Sequence, residues 1–263
     1  MLIERVWAAN DLRNFHYLVA CPETGEALAI DPLEWNLCLA AARRRGWTIT
    51  QILNTHEHWD HTGGNAGLVG ATGARVLAHA QAASTIGGVD QGLERGDVIR
   101  VGRSVELECL DTPGHTLAHI CLYAHGDAPA LFSGDTLFNA GAGNCHSTGR
   151  PDLLYDTFVT QLARLPDSTR LFPGHEYLVR NLEFTLDREP DNEAAAQMLE
   201  ATRGAAAEAA PVTTLAQEKC VNTFFRLRNP RIIARLREQF ADLGENPDAQ
   251  AVFLKLRALR NAW

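Results

Sequence analysis

Residues that could carry out metal chemistry are concentrated in one short stretch, NTHEHWDHTGGN at positions 54–65, which directly follows the apolar run 49–53. Its candidate ligands are His56, His58, Asp60 and His61. In an extended segment the side chains of residues i and i+2 point the same way, so His56 and His58 can converge on one atom. Imidazole and carboxylate groups are ligands for zinc, iron and manganese, whereas core packing needs no such cluster. The stretch therefore predicts a metal site.

Three more candidate ligands lie downstream, each beside a glycine after an apolar run. They are His115 in DTPGHT, Asp135 in LFSGDT and His175 in LFPGHE. This repeated arrangement predicts loops gathered at one edge of a stack of sheets, and it supplies the ligands that a second metal ion would need. Gly63 and Gly64 would let the backbone bend tightly beside the histidine cluster. Asn65 is expected to cap a short helix that begins at Ala66.

The remaining histidines, and the cysteine nearest the motifs, have weaker claims to a role. An isolated histidine is more often a hydrogen-bonded structural residue than a ligand, so we assign no function to His16, His79 or His125. His119 has two interpretations, since it could hold a metal ligand by a hydrogen bond or pack in the core. Cys145 has no apparent base beside it, and no catalytic use is expected.

Short apolar or alternating runs in the first two-thirds of the chain predict strands, with helices between them. FHYLVACP and EALAIDP predict a strand pair around ETGE, and WTITQILNT predicts a buried strand before the histidine cluster. WNLCLAAARRRG predicts a helix that ends at Gly46. Further strands are predicted for VELECLD, ICLYAH, ALFSGD and RLFPGHE.

The last third of the chain has the pattern of helices. DNEAAAQMLEATRG predicts one between Pro190 and Gly204, and TLAQ fits a capping box that starts at Thr214. NPRIIARLREQF and NPDAQAVFLKLRALR each open with Asn-Pro, so Asn229 and Asn246 are the expected N-caps. Each of these two segments has one apolar face, which predicts packing against the first part of the chain.

Composition and charge narrow the classes of partner. The chain has 263 residues and a formal net charge of −8, so we expect no nucleic-acid partner. MLIERVWAANDL lacks the apolar region of a signal peptide, and the absence of a run of about 18 apolar residues predicts no membrane span. The six cysteines include no C-x-x-C pair and are interpreted as reduced thiols of a cytoplasmic protein.

The order of the motifs resembles that of a known superfamily. THEHWDH followed by PGHT, GDT and GHE is similar to the metallo-β-lactamase superfamily. THEHWDHTGGN, DTPGHTLAHICLY, FSGDTLFNAGAG and PGHEYLVRNLEF resemble segments of its glyoxalase II, or hydroxyacylglutathione hydrolase, family, and the likeness continues through PVTTLAQEKCVNTFFRLR. The resemblance implies an α/β fold. It would comprise an αββα catalytic sandwich over residues 1–178 and a helical substrate-binding domain over residues 179–263.

The resemblance also implies a site for two divalent metal ions. One ion would be held by His56, His58 and His115 and the other by Asp60, His61 and His175, with Asp135 bridging them. We expect zinc, with iron and manganese as alternatives. The pair would lower the pKa of bound water to about 7. The implied reaction is hydrolysis of S-D-lactoylglutathione to D-lactate and glutathione, a step of methylglyoxal detoxification. We assign no protein nucleophile and expect Asp60 to orient the attacking hydroxide.

The expected contacts to the glutathione thioester depart from the family pattern. A lysine and a tyrosine commonly follow AGxG in that family, but here AGAGNCHSTG places Asn144 and His146 at these positions. Losing one charge-assisted hydrogen bond would cost about 1.5–3 kcal/mol of binding. Tyr177 in GHEY is retained, and Arg226 in NTFFR matches the family's arginine, with Arg228 nearby. Two other arginines are interpreted as solvated surface residues, namely Arg150 and Arg180.

Two alternative functions remain open from the sequence. A mononuclear iron persulfide dioxygenase of the same superfamily also carries H-x-H-x-D-H, but it binds its metal with two histidines and one aspartate and leaves the second site unfilled. His175 followed by Glu176, and the long helical tail, argue against it. The other alternative is a hydrolase of another thioester or of a lactone.

Overall fold

Two β-sheets stacked face to face form the centre of the molecule, and the computed structural model describes residues 1–146 and 148–263. The strands of the first sheet, adjacent in this order, are β1 (Leu2–Trp7), β2 (Phe15–Ala20), β3 (Glu26–Ile30), β4 (Thr48–Asn54), β5 (Arg75–His79) and β6 (Gln91–Leu93). The first three strands pair antiparallel. The pairs from β3 to β6 are parallel, which places the carboxyl ends of these four strands at one edge.

The second sheet has five strands. They are β7 (Val98–Val101), β8 (Val105–Asp111), β9 (Ile120–Ala124), β10 (Ala130–Gly134) and β13 (Arg170–Pro173), adjacent in that order. The β10–β13 pair is parallel and the other pairs are antiparallel. A two-stranded ribbon follows the fourth of these strands and consists of β11 (Leu137–Phe138) and β12 (Gly141–Ala142).

Helices lie on the outer faces of both sheets and form the last third of the chain. The helices of the first part are α1 (Trp35–Arg45), α2 (Trp59–Thr62), α3 (Asn65–Thr72), α4 (Ala83–Ile86) and α5 (Pro151–Thr160). The later helices are α6 (Leu178–Arg188), α7 (Glu193–Thr202), α8 (Leu215–Val221), α9 (Pro230–Arg237) and α10 (Ala249–Ala262). No helix in the described ranges is long and apolar enough to cross a membrane.

Three layers of apolar side chains hold these elements together. Leu28 and Leu53 of the first sheet pack against Leu107 and Leu122 of the second, and all four are fully buried. The outer face of the first sheet packs on α1 and α3. The outer face of the second sheet packs on α5, α9 and α10. The alternation of inward and outward residues along the strands therefore gives the αββα sandwich that the family resemblance implies.

Most predicted elements are confirmed. FHYLVACP and EALAIDP form the antiparallel pair β2–β3, and α1 ends at Gly46, whose left-handed backbone (φ 70°) suits glycine. VELECLD forms β8 with the predicted alternation of exposed and buried side chains. The capping box at Thr214 is present, with Gln217 as its second member. Asn229 caps α9 through its side chain.

Two predicted helix caps are wrong. The last helix starts later than predicted, because Asp248 rather than Asn246 is its N-cap and accepts from the backbone N–H of Ala251. Asn65 is the first residue of α3 rather than its cap, and its side chain turns inward to exchange hydrogen bonds with Asn54. A buried amide partner thus outcompetes the local capping bond.

The boundary after residue 178 stays a prediction. It lies at the start of α6, which begins at Leu178. Side chains of α9 and α10 share one apolar core with the second sheet, so the helical part is packed on the sandwich through extensive burial.

Candidate metal centre and substrate cleft

Loops at one edge of the sheet stack carry the seven candidate ligands. They follow β4 (His56, His58), lie on α2 (Asp60, His61), or follow β8 (His115), β10 (Asp135) and β13 (His175). Their ligand atoms form a first group (His56, His58, His115) and a second group (Asp60, His61, His175), and a third set that links the two (His56, His61, Asp135). Within each of these sets all ligand atoms lie within 4.8 Å of one another. The prediction that these loops meet at one edge is therefore confirmed.

Glycines allow the ligand loops to approach the backbone closely. A Cβ atom on Gly64 would lie 1.8 Å from the backbone oxygen of Pro32. Gly134, directly before Asp135, has a left-handed backbone (φ 46°), and a Cβ there would lie 2.5 Å from Oγ1 of Thr55. Glycine is required at both positions, because any side chain would push the ligand-bearing segments apart.

The first group of candidate ligands consists of three imidazoles. His56 Nε2 lies 2.9 Å from His58 Nδ1, which in turn lies 3.0 Å from His115 Nε2. Burial lowers the pKa of His56 and of His115, so these rings stay neutral, as a metal-ligating imidazole must be. The convergence of His56 and His58 predicted from their i, i+2 spacing is confirmed.

The second group combines two imidazoles with a carboxylate. Nε2 of His61 and Nε2 of His175 are 3.3 Å apart, and Oδ2 of Asp60 is 3.4 Å from each of them. Asp135 lies between the groups, with Oδ2 3.5 Å from His115 Nε2 and 3.3 Å from His175 Nε2. This is the placement expected of a carboxylate shared by two ions.

Hydrogen bonds outside the centre fix which ring nitrogens face inward. Nδ1 of His115 donates to the Asn144 carbonyl at 2.7 Å, and Nδ1 of His175 donates to the Leu12 carbonyl at 2.7 Å. Nδ1 of His61 donates to Oδ2 of Asp31 at 2.9 Å. A neutral imidazole that donates from Nδ1 carries a lone pair on Nε2. In the neutral form of these three rings, the inward nitrogens are therefore acceptors, as metal ligation requires.

The inward atoms fit divalent cations. When both rings are neutral, the Nε2 lone pairs of His61 and His175 face each other at 3.3 Å, which is unfavourable unless a proton or a metal cation lies between them. Oδ1 of Asp135 is buried and accepts no hydrogen bond from the described residues. Imidazole nitrogens and carboxylate oxygens are ligands that zinc, iron and manganese share. The donor set thus matches the predicted chemistry.

Charge in the second group favours a cation. Burial opposes protonation of His175, yet Asp135 and Asp60 raise its pKa to about 9. Burial also opposes ionisation of Asp60, but hydrogen bonds from His175 and His61 hold its pKa far below the usual range. The same two histidines, through their charge, lower the pKa of Asp135 against the effect of its burial. The chain alone therefore stabilises positive charge at this position.

Two buried residues position the candidate ligands. His119 accepts from the backbone N–H of Asp135 through Nε2 at 3.1 Å, which favours the positioning interpretation left open by the sequence. Asp31 accepts from His61, and also from the backbone and hydroxyl of Thr55 at 2.7 Å each. Asp31 was not among the predicted site residues. It directly follows the apolar run ALAI at a strand end, which is the position that several of the candidate ligands occupy.

A cleft of about 990 Å³ opens beside the second group. Its inner wall carries Tyr177, whose ring stacks on His175 with centroids 5.0 Å apart, and Phe138, whose ring lies 5.8 Å from His175. Asn144 and His146 also line the cleft. Three of the predicted substrate residues, Asn144, His146 and Tyr177, are therefore brought together next to the candidate metal centre.

Arginines of the last helix form the far wall of the cleft, together with Arg180 of α6. Arg257 is buried and donates from Nη1 to the carbonyls of Ala142 and Gly143 at 2.6 and 2.9 Å. Burial lowers the pKa of Arg257 to about 10, so its guanidinium is charged at neutral pH. Arg260 donates to Oδ1 of Asn181 at 3.0 Å. No side-chain carboxylate in the described residues lies within 4.0 Å of Arg257 or Arg260. Arg180 lines the cleft and is exposed there, which agrees with its interpretation as a solvated residue.

Arg226 and Arg228 do not line this cleft, and their contact with substrate stays a prediction. Both line a separate surface recess with Phe225 and Asn229. Arg226 forms an ion pair with the buried carboxylate of Glu189, with Nη2 and Oε1 2.5 Å apart. This pairing holds Arg226 against Glu189 beside the start of α9, whereas Arg257 and Arg260 line the cleft.

The isolated histidines and Cys145 have surroundings that agree with their assignment. Nε2 of His16 accepts from a backbone N–H, Nδ1 of His79 does the same, and His125 pairs with Glu108 at the surface. Burial raises the pKa of the Cys145 thiol to about 11, which disfavours a reactive thiolate.

Comparison with known proteins agrees with the geometry. Residues 20–175 match the family model of the metallo-beta-lactamase superfamily, and residues 176–263 match that of the hydroxyacylglutathione hydrolase C-terminus. Two relatives called hydroxyacylglutathione hydrolase match over the full length of both chains. The protein of Polaromonas sp. strain JS666 is 61% identical, and that of Nitrosococcus oceani is 60% identical.

Solved structures share the architecture. The crystal structure of ETHE1 from Myxococcus xanthus is 26% identical, with a TM-score of 0.68 over 98% of this chain and 99% of that chain. The crystal structure of TTHA1623 in a di-iron-bound form is 27% identical, with a TM-score of 0.60 over 84% of this chain and 99% of that chain.

Proposed function

We infer, because the chain belongs to the hydroxyacylglutathione hydrolase family of the metallo-β-lactamase superfamily, that it hydrolyses thioesters of glutathione. The substrate is S-D-lactoylglutathione and the products are D-lactate and glutathione. One observation carries this inference in the structure. A pocket of imidazoles and carboxylates opens on a cleft whose wall presents guanidinium groups that no side-chain carboxylate of the described residues neutralises.

We propose that the pocket holds two divalent cations. His56, His58 and His115 would hold one, Asp60, His61 and His175 would hold the other, and Asp135 would contact both. Zinc is the expected metal, and iron and manganese use the same donors. The di-iron-bound form of TTHA1623 supports a pair of ions in this fold. The intact second group argues against a centre that binds a single iron.

The proposed chemistry divides between the cations and the chain. Bound cations would lower the pKa of water to about 7 and polarise the thioester carbonyl. The chain holds the imidazoles in the required tautomers through Asp31 and backbone carbonyls. Asp60 remains ionised and can orient the attacking water. The leaving thiol has a pKa near 8.5, so its thiolate departs with little help from an acid.

We propose that the cleft binds the glutathione moiety. Arg257 and Arg260 present guanidinium donors for a carboxylate, which is the group that such donors recognise best. Their charge replaces the lysine that Asn144 does not supply. Tyr177 and Phe138 offer apolar surface between this wall and the candidate metal centre. The cytoplasm is the proposed compartment, since all six cysteines are unpaired.

Steady-state hydrolysis tests the assignment. Zinc-loaded protein should release thiol from S-D-lactoylglutathione and be nearly inactive on the lactoyl thioester of N-acetylcysteamine, which carries no carboxylate. Arg257→Gln should raise KM for the glutathione thioester about tenfold, since it removes a charge-assisted contact, and leave kcat unchanged. Arg228→Gln is the matched control, because Arg228 is exposed and lies outside the cleft, and it should leave KM unchanged.

Two results would contradict the assignment. Absence of hydrolysis by protein that contains bound metal would refute the reaction. Equal kcat/KM for the two thioesters would refute glutathione as the recognised thiol.

A further inference from the structure

The loop between β1 and β2 makes contacts with the second ligand group that no motif predicts. It contains two non-glycine residues with left-handed backbone, Ala9 (φ 53°) and Arg13 (φ 62°). Such conformations cost about 1 kcal/mol or more each and persist only where the surroundings enforce them. Asn14 ends this loop and is almost fully buried. The conformation of this loop is therefore held by its surroundings.

The orientation of the Asn14 side chain is fixed by its neighbour. The backbone N–H of Asn14 donates to the side chain of Asn10 at 3.2 Å, which identifies the accepting atom as Oδ1 and the other amide atom of Asn10 as Nδ2. That Nδ2 donates to Oδ1 of Asn14 at 2.9 Å. Because its oxygen is the acceptor there, Asn14 must direct its own Nδ2 away from Asn10.

The Asn14 amide nitrogen points at a candidate ligand. It lies 3.1 Å from Oδ2 of Asp60 and 3.3 Å from the Asp60 backbone oxygen. Oδ2 is also the oxygen that lies 3.4 Å from Nε2 of both His61 and His175. Among the described residues, none donates a hydrogen bond to Oδ1 of Asp60. Asn14 thus anchors one carboxylate oxygen in the second group and leaves the other free.

The same loop holds a second member of that group. The carbonyl of Leu12 accepts from His175, and the backbone of Asn14 bridges to that of His175. The ion pair of Arg13 with Glu176 fastens the loop to the segment beyond His175. The hydrogen bonds of residues 10–14 to candidate ligands all reach the second group, Asp60 and His175.

We propose that Asn14 is a positioning residue that fixes Asp60 for the second cation and for the attacking water. This inference rests on the proposed function, since it assumes two cations. The N–H donor of Asn14 stabilises the ionised carboxylate and restricts its rotation. Without it, Asp60 would retain its charge but lose its alignment with His61 and His175.

Isosteric substitution separates an electrostatic role from a packing role. Asn14→Asp preserves shape but turns a donor toward Asp60 into an acceptor, whereas Asn14→Ala only removes the donor. We expect the affinity of the more weakly bound Co²⁺ ion to fall about 10–100-fold in Asn14→Ala and further in Asn14→Asp. The first ion should bind as in the wild type. Asn10→Ala, which frees the Asn14 amide to rotate, should give an intermediate loss.

The measurements are Co²⁺ titration followed by absorption, metal content per chain, and the pH profile of kcat. Asn36→Asp, which adds the same charge at an exposed position of α1, is the control, and its Co²⁺ affinity should match that of the wild type. Co²⁺ binding by Asn14→Asp that is equal to or tighter than that by Asn14→Ala would overturn the inference while leaving the proposed function standing. Wild-type protein that binds one ion and hydrolyses no thioester would overturn both.

Discussion

Replacing Asp31 by asparagine should weaken metal binding without unfolding the protein. Asp31 has a left-handed backbone (φ 50°), which asparagine also tolerates, so the loop after β3 should keep its path. Its two carboxylate oxygens accept from three donors, namely Nδ1 of His61 and the backbone and hydroxyl groups of Thr55. Asparagine offers one oxygen and one NH2 group, so at least one of these donors must face another donor.

The size of the effect follows from the bond to His61. This hydrogen bond to a buried carboxylate spans 2.9 Å, and such bonds contribute about 1.5–3 kcal/mol. It holds the His61 ring with Nε2 toward the centre. Residues that orient a metal ligand in this way change metal affinity about 10–100-fold when mutated. We therefore expect a Zn²⁺ dissociation constant 10–100 times higher than in the wild type.

Competition with a coloured chelator on metal-free protein measures this constant directly, and circular dichroism checks the fold. Asp90→Asn provides a matched control, because Asp90 also accepts from a backbone N–H but at the amino-terminal end of β5. It should bind Zn²⁺ as the wild type does. Affinity of Asp31→Asn within twofold of the wild type would show that Asp31 does not position His61.

Further predictions concern turnover and stability. Asp60→Asn should lower kcat about 100-fold, and near-normal kcat at normal metal content would exclude the orienting role. Gly64→Ala should destabilise the fold by about 3 kcal/mol in urea denaturation, because its Cβ would overlap a backbone oxygen, whereas Gly70→Ala has open space and should stabilise by about 0.5–1 kcal/mol. Equal midpoints for the two would refute the packing argument. Arg226→Gln should cost about 2–3 kcal/mol by leaving Glu189 buried without its partner, and unchanged stability would show that this ion pair contributes nothing.

The candidate ligands could be found in the sequence because each is marked by its local surroundings. His56 and His58 follow a strand at i, i+2 spacing, and Asp135 and His175 each follow a glycine after an apolar run. Strand ends that carry polar groups beside glycine have few structural uses other than forming a site. The local pattern was therefore sufficient to predict the candidate ligands and their gathering at one edge of a sheet stack, whereas the αββα sandwich was implied by the family resemblance.

The walls of the cleft could not be found in this way. Arg257 lies on an amphipathic helix whose sequence resembles that of any surface helix, and it reaches the carbonyl of Ala142 across 115 positions of the chain. Arg226 has equally basic neighbours in sequence, but it forms an ion pair with Glu189. Which arginine lines the cleft depends on how α10 packs on the sandwich.

The sequence by itself determined the set of candidate metal ligands, because ligand type, spacing and strand ends are local properties of the chain. Only the tertiary structure decided which groups hold those ligands in place. Asp31, Asn14 and the Leu12 carbonyl meet the ligands through contacts between distant segments. Such contacts have no local signature, since a hydrogen-bond partner is selected by the packing of the sheets and not by its neighbours in sequence.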